Sequence, residues 1–162
     1  MPQLPALLRV ARRLTIESTS AEDLVQETML LAWRGFRSFQ TGTNARAWLF
    51  RILLNAFHGG GRKAALTARP VPVQDRVLPG LQEAVEIAEA LDALSLEQRT
   101  VLLLAVVEGF TCQEIAGILD VPIGTVMSRL SRARAALREK VRGTAAAAAL
   151  GSGGATAEGG IP

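Results

Sequence analysis

The chain has 162 residues, enough for one helical domain or two small ones, with 49% hydrophobic residues but only 4% aromatic ones and no tyrosine. Its single cysteine, Cys112, and single histidine, His58, exclude an internal disulfide framework and a Cys/His zinc site built by this chain alone, so no metal and no cofactor are expected. The net charge of +3 is modest, no apolar run reaches membrane-spanning length and the N-terminus has no signal-peptide pattern, so a cytoplasmic protein without membrane insertion is expected.

Residues 4–15 (LPALLRVARRLT) read as the end of an amphipathic helix, interrupted at Ser18–Ser20. Ser20 and Asp23 form a capping box that is expected to open a helix through about Arg34. Within that helix Leu24, Thr28, Leu31 and Ala32 lie along one side, widened by Val25 and Met29, while Asp23, Gln26 and Glu27 fall together on the other. Ser38–Asn44 is polar and reads as a loop; residues 45–57 (ARAWLFRILLNAF) form a helix rich in large apolar groups. Most of Trp33, Phe36, Phe39, Trp48, Phe50 and Phe57 are expected in the core of a three-helix packing. Gly59, Gly60 and Gly61 follow; each glycine inside a helix costs about 1 kcal/mol relative to alanine, so the helix is expected to end or fray there. Residues 66–82, with Pro70, Pro72, Pro79 and Gly80, read as an interdomain linker.

Helical pattern resumes at about Leu81, and Ser95 caps a buried helix, SLEQRTVLLLAVVEG, that Gly109 ends. Residues 111–142 then read as a helix-turn-helix. Thr111 and Glu114 form a capping box, and Ile115, Ala116, Ile118 and Leu119 give the first helix its apolar face. Pro122 and Gly124 are expected to shape the turn, with Thr125 a second N-cap. Val126, Leu130, Ala133 and Leu137 carry the buried stripe of the second helix, and its other face is crowded with arginine. The first turns of such a helix reach base edges, which nominates Met127, Ser128, Ser131 and Arg132; Thr125, Arg129 and Arg134 are better placed for phosphate. Residues 143–162 are Ala/Gly-rich and read as a disordered tail, with the Ala145–Ala149 run able to prolong the last helix.

Charge is divided along the chain. From Arg34 to Arg69 there are seven basic residues (Arg34, Arg37, Arg46, Arg51, Arg62, Lys63 and Arg69) and no acid. Glu83, Glu86, Glu89, Asp92 and Glu97 then reverse the sign, which suggests two nucleic-acid surfaces on two modules. No nucleophile–base array and no G-x-x-x-x-G-K-[ST] phosphate loop is present, so the chain is not expected to be an enzyme.

Two long stretches, AEDLVQETMLLAWR and GFTCQEIAGILDVPIGTVMSRLSRARAALRE, resemble the two conserved-domain signatures of bacterial RNA polymerase sigma factors, in particular the extracytoplasmic-function (ECF) group. GTNARAWLFRILLNAF is similar to members that respond to thiol-oxidative stress, and the resemblance covers about residues 5–66 and 83–142. It implies an all-α chain of two small helical domains. Residues 1–65 would bind polymerase and recognise the minus-ten element, 66–82 would be the Pro-containing linker, 83–142 would read the minus-thirty-five element, and 143–162 would be the tail. The partners implied are core RNA polymerase, promoter DNA and an anti-sigma factor. Asp23, Gln26 and Glu27 would face the polymerase. Gln40, Thr41 and Asn44 would capture a base of the opened minus-ten element, with Arg46, Arg51, Asn55, Arg62 and Lys63 near the DNA backbone.

Members of the group carry a further helix before this region, so the resemblance also implies an N-terminally short first domain, and Gly59–Gly61 replaces a polar, basic helix. A polymerase-independent helix-turn-helix regulator is the alternative, as is a decoy that binds polymerase or anti-sigma factor but is impaired in promoter melting.

Overall fold

A computed structural model describes residues 2–15, 17–64 and 88–151. Helix α1 spans Leu4–Leu14, α2 Ser18–Gly35 and α3 Ala45–Ala64, with a short 3-10 turn, Phe36–Ser38, after α2. Residues 88–92 are helical; α4 spans Leu96–Leu102 and widens into a π-helical turn, Leu103–Val107. Helix α5 spans Cys112–Leu119 and α6 spans Ile123–Gly151. No strand occurs among the described residues, in keeping with the all-α expectation. The expected linker, residues 66–82, lies outside them.

In α1, Pro5 sits where a missing N–H costs nothing, and Arg12 and Arg13 lie near the negative end of the helix dipole. Its buried side, Leu7, Val10, Ala11 and Leu14, follows helical spacing. Helix α2 begins earlier than the Ser20–Asp23 box predicts: Glu17 is the N-cap residue, and it makes no side-chain capping bond. Propagating a helix by one residue is easy once a neighbour packs it, and Ala21 is fully buried in the core. Thr28, also buried, donates its hydroxyl to the Leu24 carbonyl at 2.7 Å, which satisfies a polar group inside the packing.

Helix α3 runs through Gly59–Gly61 to Ala64, against the expectation that it ends or frays at the glycines. Phe50, Leu53, Leu54 and Ala56 are all buried, so the helix is anchored before the glycines, and each further residue adds a hydrogen bond to an existing ladder. Of the aromatic residues expected mainly in the core, only Phe50 is fully enclosed; Trp33 and Phe36 are 82% and 65% exposed.

In the C-terminal half, Ser95 and Gln98 form a reciprocal capping box at the start of α4. Arg99 donates to the carbonyls of Leu91 and Asp92 at 2.9 and 3.1 Å, closing the end of the helical stretch before it. After the π turn, Gly109 adopts φ +70°, a left-handed conformation that suits glycine, and turns the chain toward α5. The turn of the helix-turn-helix differs from expectation. Asp120, not glycine, takes the left-handed conformation at φ 54° and ψ 49°, and its N–H bonds to the Ala116 carbonyl. Helix α6 already starts at Ile123, so Gly124 and Thr125 lie in its first turn, and Thr125 donates its N–H back to Pro122 instead of capping the helix. Helix α6 continues through the alanine run to Gly151; residues 152–162 of the expected tail lie outside the described residues.

The two halves share one continuous core from Ala6 to Ala133. Helix α3 lies against α5, and the Phe110 ring meets Phe50 edge-on, with centroids 5.2 Å apart.

Gly59→Ala tests the uninterrupted course of α3. The position is helical and a Cβ there meets open space, so the substitution is expected to stabilise the protein by about 0.5–1 kcal/mol in denaturant unfolding. A loss of stability would mean that the helix does not pass through the glycines.

Candidate nucleic-acid interface

The helix-turn-helix is held from beneath. Ile115, Ala116 and Ile118 of α5 face Val126, Leu130 and Ala133 of α6, all buried, while Leu119 and Leu137 are half-buried at the edges. The buried stripe leaves the opposite face of α6 to solvent. Met127, Ser128, Ser131, Arg132 and Arg134 are exposed there, and Thr125 is half-buried. These groups combine hydrogen-bonding side chains with positive charge on the first turns of a helix, a chemistry suited to base edges and phosphates in a major groove. Cys112 is half-buried and borders the same surface with Met127, Ser131 and Arg134.

Arg129 stands apart. It is only 23% exposed, and its guanidinium donates to Glu97 of α4 at 3.1 Å. The phosphate role expected for it therefore competes with a bond inside the protein, and its place is at the α4–α6 junction.

The second candidate surface lies at the start of α3. Thr43 folds the preceding loop by donating both its N–H and its hydroxyl to the Gln40 carbonyl, with Gly42 at φ +101°. Gln40 and Thr41 are exposed on this turn, and Arg51 and Asn55 are exposed along α3. Arg62 and Lys63 fall in the last turn of α3, where only the backbone is described. Asn44 is doubly engaged. Its carbonyl oxygen accepts the Ala47 N–H at 3.2 Å, capping α3, and its amide donates to Glu114 of α5 at 2.9 Å. Arg46 is also engaged: it donates to Glu108 at 2.6 Å and lies over the Phe110 ring, 4.4 Å from its centroid.

Asp23, Gln26 and Glu27 are all exposed on α2, as their spacing predicts. Beyond them, Leu30, Trp33 and Phe36 continue an exposed apolar strip. This strip faces solvent and takes no part in the core.

Sequence reasoning missed Glu108. Its side chain has no exposed surface, yet it accepts from Arg9 of α1 at 3.1 and 3.4 Å and from Arg46 of α3. The available signal was an isolated acid directly after the apolar run 101–107 and just before Gly109. Glu114 was read only as a capping residue. It is one: it accepts the Thr111 N–H at 2.8 Å, and the Thr111 hydroxyl accepts the Glu114 N–H at 3.2 Å. That backbone bond is the main force holding the Glu114 carboxyl below the usual value of 4.5; the Thr111 hydroxyl, the Asn44 amide and the Arg46 charge add to it and desolvation opposes it. Among the described residues no three His, Cys, Asp or Glu side chains gather as a metal site requires, and no helix is long and apolar enough to cross a membrane.

Residues 2–65 match the family described as sigma-70 region 2, and residues 84–137 match sigma-70, region 4. The chain is similar to the ECF RNA polymerase sigma factor EcfG of Rhodopseudomonas palustris, with 38% identity over 145 residues, covering 83% of this chain and 78% of that protein. It is 37% identical over 136 residues to the ECF RNA polymerase sigma factor SigM of Mycobacterium tuberculosis, covering 81% of this chain and 69% of that protein. Among solved structures, it resembles the sigma factor RpoE in complex with the anti-sigma factor NepR from Bartonella quintana. There the TM-score is 0.70 and the identity 37%, over 86% of this chain and 91% of that one.

Two measurements check the geometry. A double-mutant cycle on Arg129→Ala and Glu97→Ala is expected to give a coupling of about 0.2–1 kcal/mol, because the Glu97 end is exposed; zero coupling would return Arg129 to the free surface. For Glu114, a depressed folded-state pKa means that its stabilising contribution is complete above the unfolded value and lost as pH falls through the lower folded value. Acid titration followed by helical circular dichroism should therefore show a loss below pH 4.5 that is smaller in Glu114→Gln than in the unmodified chain.

Proposed function

The chain belongs to the sigma-70 family of RNA polymerase sigma factors, in its ECF group, and we propose how its residues divide the work of promoter recognition and transcription initiation. The observation that carries this reading is the two-sided α6: Val126, Leu130 and Ala133 are buried while Met127, Ser128, Ser131 and Arg132 face outward from its first turns. This is what a recognition helix needs in order to enter a major groove without disturbing its own packing. In this reading Met127, Ser128, Ser131 and Arg132 read base edges of the upstream promoter element, and Thr125 and Arg134 fix the helix on phosphate. Arg129 contributes by bracing α6 on α4.

The N-terminal half supplies the polymerase contact and the minus-ten contact. Asp23, Gln26 and Glu27, continued by Leu30, Trp33 and Phe36, offer core RNA polymerase a surface that is acidic at one end and apolar at the other. Gln40, Thr41 and Asn44 meet the opened strand, with Arg46, Arg51, Asn55, Arg62 and Lys63 serving its phosphates. Phosphodiester chemistry belongs to the polymerase; this chain supplies address and strand opening, in the cytoplasm where the polymerase works. The regulatory partner in this reading is an anti-sigma factor, the class of protein bound to the similar RpoE of Bartonella quintana.

The purified chain, added to core polymerase with a supercoiled promoter library, is expected to produce specific transcripts. Duplex binding without polymerase association would favour a free regulator, and association without transcripts a decoy. On the promoter so identified, Arg132→Ala should relax base preference at one upstream position by about 1–3 kcal/mol. A uniform loss across all sequences would assign Arg132 to phosphate instead.

A further inference from the structure

Glu97 lies in the first turn of α4, and its carboxylate accepts from the Arg129 guanidinium of α6 at 3.1 Å. The start of α4 is itself fixed: Ser95 and Gln98 exchange capping bonds, and Arg99 is tied to the carbonyls of Leu91 and Asp92. Glu97 and Arg129 line one cleft with Thr125, Ser128 and Arg132. An acid, 65% exposed, therefore stands at the edge of the surface that would meet a duplex. Arg129 is the arginine of α6 that it engages; among the described residues Arg132, Arg134, Arg138 and Arg142 form no ion pair with an acid.

A carboxylate beside phosphate is repulsive, and Arg129 cancels that charge. If Arg129 left Glu97 for a phosphate oxygen, the carboxylate would stay behind, uncompensated, in the field of the duplex. The exchange forms one charge-assisted bond, breaks another and adds the repulsion. The pair is accordingly held more firmly with DNA present than in the free chain, where solvent and salt screen its exposed end.

We propose that Glu97 is a positioning residue of the upstream contact: it holds Arg129 off the phosphates and so limits the part of the α6 grip that is blind to sequence. This rests on the reading of α6 as a recognition helix. A phosphate contact strengthens binding to every sequence alike, whereas the outward groups of the first turns strengthen binding to the right one. A chain with one phosphate contact fewer is held less on the large excess of other DNA.

The test follows binding of the full chain to a fluorescent duplex of random sequence, by anisotropy, from about 200 down to about 50 mM salt. Log affinity changes with log salt by about 0.9 for each phosphate neutralised, so the slope counts phosphates and is not moved by the loss of a brace alone. Glu97→Ala is expected to steepen the slope by about 0.9, so that the fall in salt raises its affinity about 3.5 times more than that of the natural chain. Arg129→Ala is expected to leave the slope as it is, and Glu97→Ala should then add nothing in the Arg129→Ala background. Neither substitution touches the buried stripe of Val126, Leu130 and Ala133, and circular dichroism checks that each variant folds.

An unchanged slope in Glu97→Ala overturns the restraint. A shallower slope in Arg129→Ala does so as well, because Arg129 is then already on phosphate in the natural chain. Equal steepening by Glu97→Ala with and without Arg129 would make Glu97 a simple repeller of DNA and overturn it too. A natural chain that binds no duplex even at the low-salt end sinks the recognition-helix reading and the restraint together, whereas the other three outcomes leave that reading standing.

Discussion

A carboxylate removed from water is costly unless cations meet it, and Glu108 has no exposed side-chain surface. Its two oxygens are met by Arg9 from α1 and Arg46 from α3, so the bend that carries it is positioned only when both helices of the N-terminal half are in place. Gly109, in the left-handed conformation, turns the chain immediately afterwards, and Phe110 drops onto Phe50. The seating of α5 against α3 follows from that bend, and α6 packs on α5. The relation of the two halves, and with it what each candidate surface exposes, rests on this acid and the ring two residues away together with the apolar core that the halves share.

The local grammar of the fold was legible in the chain because it is short-range. The Thr111–Glu114 and Ser95–Gln98 boxes join residues three apart, and the stripe of Val126, Leu130 and Ala133 repeats at helical spacing; the folded protein keeps all of these. The failures are also physical. Gly59–Gly61 is a weak helix former by propensity, but Phe50, Leu53 and Leu54 anchor the helix that enters it, and tertiary packing outweighs propensity. Pro122 and Gly124 looked like the turn, yet Asp120 took the left-handed position, an exception that aspartate tolerates better than most side chains. Trp33 and Phe36 fall outside the core expected for most of the aromatic residues, because chemical type does not say which side of a helix is covered.

The candidate interface divides along the same line. Exposure of Met127, Ser128, Ser131 and Arg132 follows from the register of a single helix, so their positions were readable. The state of Asn44, Arg46 and Arg129 depends on partners 70, 62 and 32 residues away, and helical periodicity carries no information at that range. Arg129 shows the consequence: it looks like one more arginine on a basic face, but Glu97 draws it into the junction with α4. The buried acid was the hardest to see, since a charged residue beside an apolar run ordinarily marks the end of burial, not its deepest point.

Acids beyond the acidic segment also bear on the basic one. Two basic blocks separated by acids suggested two nucleic-acid surfaces. In the folded chain two acids of the C-terminal half, Glu108 and Glu114, accept hydrogen bonds from Arg46 and Asn44 of the N-terminal surface. Carboxylate and phosphate oxygens make equivalent demands on a guanidinium, so an internal acid can hold an arginine in a geometry ready for phosphate while denying it to phosphate.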